Sequence, residues 1–129
     1  MRTISSIVVG SLLALGVNCD KGANTNTPLK PLEIIQPKGG ETYTVGQTVE
    51  IRWRINDLSK ILSVGVKLST NNGKLYTPIL FPDHSFPSET TWVSWIIQSN
   101  QASAQCIVEV HEYNDVNLND KSGAFTVSN

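Results

Sequence analysis

The chain has 129 residues, a length typical of one domain. It carries 10 Lys and Arg against 11 Asp and Glu, with no basic run, so we expect no nucleic-acid partner. Hydrophobic residues make up 40% of the chain and charged residues only 16%, which excludes a disordered protein and favours a compact domain.

Residues 1–18 are predicted to be a secretory signal peptide. Arg2 supplies a positive charge, and the run from Ile4 to Val17 is uncharged and rich in Ile, Val and Leu. This apolar run is shorter than the roughly 20 residues that span a bilayer, which favours a signal peptide over a membrane helix. A buried N-terminal strand or a retained anchor are the alternatives.

The segment LGVNCD at 15–20 resembles the lipobox of bacterial lipoproteins. That resemblance implies that Cys19 receives a diacylglyceryl group and becomes the new N-terminus. Acyl chains on Cys19 would hold the protein at a bilayer by burying methylene groups. The alternative is a soluble secreted protein in which Cys19 forms a disulfide with Cys106. Residues 19–31 are thus interpreted as the lipid-anchored Cys followed by a polar, flexible tether.

From Leu32 to Asn129 the pattern predicts β-strands, because apolar and polar residues alternate and no helical stripe is present. Val49–Arg54 is the clearest strand, with Glu50, Arg52 and Arg54 expected to face water. The seven predicted strands are 32–35, 49–54, 64–69, 74–79, 91–97, 105–113 and 123–127.

Three local features refine this pattern. The pair Asn72-Gly73 predicts a tight type I′ hairpin between the third and fourth strands. In the sixth strand, Cys106 is expected inside, whereas Glu109 and His111 are expected on a solvated face. The stretch 115–120 is interpreted as a polar loop between the last two strands.

The predicted fold class is all-β, an immunoglobulin-like antiparallel β-sandwich of about seven strands that spans residues 32–129. Short strands separated by regular turn signals favour this architecture. The expected core contains Trp53 and Trp95 surrounded by β-branched residues.

Six segments in order also resemble one family: PKGGETYTVG at 37–46, IRW at 51–53, VGVKL at 64–68, WII at 95–97, VEV at 108–110 and SGAFTV at 122–127. They are similar to the Ig-like domain of the Ser/Thr-rich GPI-anchored membrane protein family. That domain also forms the N-terminal part of fungal cell-wall β-glucan synthesis proteins and recurs in bacterial lipoproteins. The resemblance implies an Ig-like fold and a surface location, and it supplies no catalytic residues.

We expect no enzymatic activity, no metal and no cofactor. Asp83-His84-Ser85 contains the residue types of a hydrolytic triad, but three consecutive side chains cannot take up the three positions. The stretch 115–120 has oxygen ligands at alternating positions, but it lacks the glycine and the bidentate Glu of a calcium loop.

Two sets of residues are candidates for binding. Trp92 is an aromatic side chain on the face opposite the core, and it would lie near Arg52 and Arg54 if their strands were neighbours. That arrangement suits either a structural stack or a sugar platform. The loop residues Phe81, His84 and Phe86 either pin a long connection or form a protein-contact tip.

The sequence therefore predicts an exported module anchored through Cys19 to the outer or cytoplasmic membrane of the cell envelope. Its expected role is binding or structural, with an envelope protein or a polysaccharide as partner. A soluble secreted domain is the alternative.

Overall fold

The computed structural model describes residues 29–80 and 83–129, which fold into ten β-strands and one short 3-10 helix at Ser99–Gln101. The predicted signal peptide, Cys19 and most of the predicted tether lie outside the described residues. Within the described ranges no helix is long and apolar enough to span a membrane. The strands are β1 Leu32–Gln36, β2 Thr42–Thr44, β3 Thr48–Ile55, β4 Ser63–Ser69, β5 Thr77–Pro78, β6 Phe86–Pro87, β7 Trp92–Ile96, β8 Ser103–Glu112, β9 Asp115–Lys121 and β10 Phe125–Ser128.

The strands form two sheets. The larger sheet has the order β2-β10-β8-β4-β5, with β9 also paired to β8 and β6 also paired to β4. The smaller sheet has the order β1-β3-β7. All pairs are antiparallel except β2 with β10, which is parallel. The predicted all-β sandwich is therefore confirmed.

The core lies between the sheets and follows from the alternation in the sequence. Val49, Ile51 and Trp53 of β3 are buried, whereas Arg52 and Arg54, on the alternate positions, are exposed. Full burial of one such aliphatic or aromatic side chain stabilises a fold by about 1.5–3 kcal/mol. Both sheets contribute to this core, which also includes Leu32, Ile61, Val64, Val66, Leu68, Trp95, Ile97, Cys106, Val108, Val110, Phe125 and Val127.

The predicted tight hairpin at Asn72-Gly73 is wrong in its length. Both residues have positive φ, 62° and 87°, as such a turn requires. However, β4 pairs with β5 only at Lys67 opposite Pro78 and Leu68 opposite Thr77, so a longer connection separates them. Within it, the Ser69 hydroxyl accepts a hydrogen bond from the Gly73 N–H at 2.8 Å. Such local bonds compete with the strand ladder and widen the turn.

The predicted polar loop at 115–120 is also wrong, because these residues form β9. This strand pairs with the second half of β8 through Glu109 opposite Lys121 and Val110 opposite Asp120. The run of Asp and Asn disguised it, since both residues are depleted in strands. Together with the short strands β2 and β6, β9 accounts for the three strands beyond the predicted seven.

One side of the sandwich is closed by Asp120 of β9. Its carboxylate accepts hydrogen bonds from the Ile34 backbone N–H at 2.9 Å and from Lys30 Nζ at 2.7 Å. The bond to Ile34 is buried, whereas the Lys30 side chain remains 64% exposed. The carboxylate thus joins the larger sheet to the free edge of β1, which would otherwise present an unpaired N–H.

The chain passes from the smaller to the larger sheet between β1 and β2, where Gly39 and Gly40 run close to residues 123 and 124. Gly123 N donates to Lys38 O at 2.7 Å, and Gly40 N donates to Ala124 O at 2.8 Å. A Cβ on Gly39 would lie 2.8 Å from Gly123 Cα, and Gly39 has a φ of 130°. Only glycine fits this crossing without moving the backbone.

Candidate binding face and strand edge

The outer face of the smaller sheet brings together the side chains that the sequence analysis proposed for binding. Strands β3 and β7 are neighbours, with Arg52 opposite Trp92, Glu50 opposite Ser94 and Thr48 opposite Ile96. The alternation that buries Trp95 therefore places Trp92 and Ile96 in solvent. This face combines charges on β3 with exposed apolar side chains on β7.

Trp92 and Arg52 form the centre of this face. The Trp92 side chain is 47% exposed, and the Arg52 guanidinium carbon lies 6.0 Å from its ring centroid. Arg52 Nε also donates to Glu50 Oε1 at 2.9 Å. The guanidinium is thus held over the indole by its own neighbour on β3, in a solvent-exposed stack of modest energy.

Arg54 belongs to a different pair. Its Nε lies 3.7 Å from Glu33 Oε1 on β1, and Glu33 is opposite Arg54 in the sheet. The structure therefore brings Arg52 to Trp92, whereas Arg54 extends towards the far side of the sheet. Two Arg–Glu pairs leave this face close to neutral.

The loop residues proposed for protein contact are only partly described. Phe81 lies outside the described residues. His84 is exposed, and its ring centroid is 6.0 Å from that of Phe86. Phe86 is half-buried in β6, and its centroid lies 6.0 Å from Trp53 in the core. For Phe86, pinning the connection to the sandwich is the role that the contacts favour.

Cys106 lies inside the core, as predicted from the alternation of β8. Its side chain is 0% exposed, and burial raises the pKa of its thiol. Cys19, its possible disulfide partner, lies outside the described residues. A buried protonated thiol behaves as a small apolar side chain, so Cys106 is chemically inert in this position.

The predicted solvated face of β8 is wrong, since Glu109 and His111 are buried. His111 lies opposite Gly65 of β4, and a Cβ on Gly65 would be 2.6 Å from His111 Nε2. The missing side chain thus creates the space for the imidazole ring, and the same Cβ would also come within 3.2 Å of the Tyr113 ring. A glycine inside a strand is the signal in the sequence that another group approaches closely.

The electrostatics around His111 are unusual because its Nδ1 is buried with no hydrogen-bond partner among the described residues. It lies 3.8 Å from Glu109 Oε1, too far for a hydrogen bond. Burial lowers the pKa of His111, although Glu109 opposes this effect. Among the described residues, no three His, Cys, Asp or Glu side chains form a group that could hold a metal ion.

We expect His111 to make stability fall in mild acid. The unfolded imidazole gains a proton below its usual pKa of about 6.5, whereas the buried one resists protonation, so lowering the pH favours unfolding. Lys67 lowers the pKa further, and Asp83 and Glu112 oppose it. Urea unfolding of wild type and His111→Gln at pH 7 and pH 5 measures the effect.

The matched control for this test is His84→Gln, which changes an exposed histidine. The wild type and His84→Gln should lose more stability between pH 7 and pH 5 than His111→Gln does. An equal loss in all three proteins would contradict the role of His111.

A cleft of about 620 Å³, not anticipated from the sequence, opens on the side opposite Asp120. It separates the edge of β5 from the edge of β7 and is lined by Leu68, Thr77, Ile79, Leu80, Ser94 and Ile96 among others. The local sequence pattern does not predict the cleft, because it lies between two strands that are distant in sequence and do not pair with each other.

The chain was compared with protein-family models, with curated proteins and with solved structures, and none of them matches it.

Proposed function

We propose that this protein is an exported, lipid-anchored module of the cell envelope that binds a partner through the outer face of the smaller sheet. The observation that carries the binding role is Trp92, a large aromatic side chain that is 47% exposed beside Arg52. Tryptophan and arginine are the residues most enriched at the energetic centres of protein interfaces. A half-exposed indole on a rigid strand is therefore better suited to recognition than to stability.

The arrangement of strands supports an Ig-like identity for this module. Immunoglobulin domains pack a sheet of strands A, B, E and D against a sheet that contains C, F and G. Here β1, β3 and β7 correspond to A, B and E, whereas β4, β8 and β10 correspond to C, F and G. This order agrees with the proposed relation to the Ser/Thr-rich GPI-anchored membrane protein family.

The position of Cys106 favours acylation of Cys19 over a disulfide. Cys106 is fully buried opposite Phe125, its partner on the neighbouring strand β10. A disulfide would require residue 19 to enter this core and displace packed side chains, which costs stability. The anchor would hold the module at the outer or cytoplasmic membrane through the acyl chains.

The anchor is tested by the intact mass and N-terminal fragment masses of the protein purified from its native membrane. We expect a chain that begins at a diacylglyceryl-modified Cys19, with Cys106 as a free thiol that reacts with a thiol reagent only after denaturation. An unmodified Cys19 linked to Cys106 would instead identify a soluble secreted domain and refute the anchor.

The stack of Arg52 on Trp92 also favours a second candidate, a polysaccharide-binding protein. A flat indole with a neighbouring guanidinium offers both a stacking surface and hydrogen-bond donors to a sugar ring. On a glycan array that includes cell-wall polysaccharides, the wild type should bind one or more glycans, and Trp92→Ala should no longer bind them. Arg54→Ala, which changes the more distant arginine of the same face, is the control. Absence of any retained sugar refutes this candidate.

A further inference from the structure

The edge of β7 presents backbone groups that no strand satisfies in the described part of the chain. Ile97 N donates to Gln47 O and Trp53 N donates to Thr91 O, both at 3.0 Å. Because bonded and non-bonded pairs alternate in an antiparallel ladder, Val93 and Trp95 also bond to β3. Trp92, Ser94 and Ile96 must therefore direct their N–H and C=O groups away from the sheet.

This edge lacks the protection that the edges of β1 and β5 carry. The edge of β1 is capped by Asp120, and β5 is only two residues long and contains Pro78, which has no N–H. Strand β7 has five residues, with no charge, proline or bulge. One side-chain contact covers part of it, since Gln98 Nε2 donates to Ile96 O at 2.9 Å.

The cleft lies directly beside this edge, and its chemistry is uncharged. Its lining combines apolar residues, among them the buried Leu68 and Ile79, with uncharged polar ones such as Thr70, Gln98, Asn100 and Gln101. Ser94 and Ile96 belong both to the cleft and to the edge. In an Ig-like domain this is the place beside strand E that strand D occupies.

We infer that the edge of β7 and the adjoining cleft bind an extended segment of a partner polypeptide, which adds a fourth strand to the smaller sheet. The backbone of that segment pairs with Trp92, Ser94 and Ile96, and alternate uncharged, apolar side chains enter the cleft. The inference rests on the proposed binding role of this face and specifies the class of partner.

The area of the edge argues against a second copy of this chain as the occupant. Two β7 strands paired about Ser94 would cover mainly Trp92 and Ile96, which are 47% and 58% exposed. At up to about 250 Å² for a large side chain, that buries at most roughly 500 Å² in both copies, far below the ~1,200 Å² of a stable interface. The cleft would also stay empty, because Val93 and Trp95 of the second copy already face their own core.

The experiment is a selection of random twelve-residue peptides displayed on phage against the purified protein, followed by NMR titration of the enriched peptides. We expect enriched peptides with apolar residues at alternate positions and no charge among them. Their binding should shift the amides of Trp92, Ser94 and Ile96 and protect them from hydrogen exchange.

Two variants test the edge itself. Ser94→Pro removes an N–H that points away from β3, and Ile96→Lys places a charge at the mouth of the cleft; each should weaken peptide binding at least tenfold. Val116→Lys is the matched control, since Val116 is an exposed apolar residue on the distant strand β9, and it should leave the affinity unchanged. NMR spectra of the variants without peptide verify that each one is folded.

The outcomes separate this inference from the proposed function. Binding that Trp92→Ala weakens but Ser94→Pro and Ile96→Lys do not would mean that the face binds and the edge does not, so only the inference is overturned. Failure to enrich any peptide, or concentration-dependent dimers abolished by Ile96→Lys, also overturns it. The mass measurement on Cys19 is independent of all these results.

Discussion

Replacing Trp95 by alanine is expected to lower the free energy of unfolding by about 3–5 kcal/mol. Trp95 is 1% exposed and packs edge-on against Phe125, with ring centroids 6.3 Å apart. Its Nε1 also donates to Gln101 Oε1 at 3.0 Å. Loss of the indole leaves a large cavity between the sheets and removes this hydrogen bond. Because small domains are stable by only about 5–15 kcal/mol, the variant should unfold readily.

Trp92→Ala provides a matched control for this prediction, because it changes the same residue type on the same strand. Trp92 is half-exposed and faces solvent, so its removal should cost less than about 1 kcal/mol. Urea unfolding followed by circular dichroism measures both changes. Similar losses for the two variants would mean that Trp95 is not at the centre of the core.

Replacing Glu112 by alanine is expected to cost about 3 kcal/mol, because its buried carboxylate accepts three backbone hydrogen bonds. Glu112 Oε2 accepts from the N–H groups of Leu62 at 3.1 Å and Ser63 at 3.2 Å, and Oε1 accepts from Asn114 at 2.6 Å. These contacts tie the start of β4 to the turn between β8 and β9. Without the carboxylate, the three N–H groups lose their acceptor together.

The same contacts make the effect of Glu112 depend on pH. Burial alone would raise its pKa, but the three N–H donors outweigh burial and hold the pKa below its usual range. A carboxyl whose pKa is lowered by folding adds stability above its unfolded pKa, and this stability is lost as the pH falls through the folded value. Stability of wild type and Glu112→Ala should therefore converge in acid.

Unfolding curves from pH 7 to pH 3 test this prediction, with the exposed Glu89→Ala as the control. Glu112→Gln keeps one oxygen acceptor and should lie between wild type and Glu112→Ala. A constant difference between wild type and Glu112→Ala across the whole range would show that the charge of Glu112 contributes nothing.

Most of the fold could be predicted from the sequence because its central strands alternate strictly. β3, β4, β7, β8 and β10 lie within one or two residues of their predicted positions, and their apolar faces form the core. β9 was missed because pairing with β8 and the Asp120 contact outweigh the weak strand propensity of its Asp and Asn residues. The turn at Asn72 was mispredicted because Ser69 bonds locally within it.

The candidate site could be predicted only in part. That Arg52 lies beside Trp92 follows once β3 and β7 are known to pair, but the alternation of apolar and polar residues does not specify that pairing. The burial of His111 was missed because the space for its ring is left by Gly65 of β4, which is remote in sequence. The cleft beside β7 was missed for the same reason: it depends on the spacing of two edges that are remote in sequence.

The passage of the chain from the smaller to the larger sheet between β1 and β2 has a kinetic consequence. β2 pairs in parallel with β10, and the Tyr43–Ser128 hydrogen bond joins residues 85 positions apart. Contacts of such high sequence separation slow folding, because a long loop must close before they form. The larger sheet cannot be completed until residues 125–128 have left the ribosome. We therefore expect β2 to join the larger sheet late in folding, after the strands that are closer in sequence have paired.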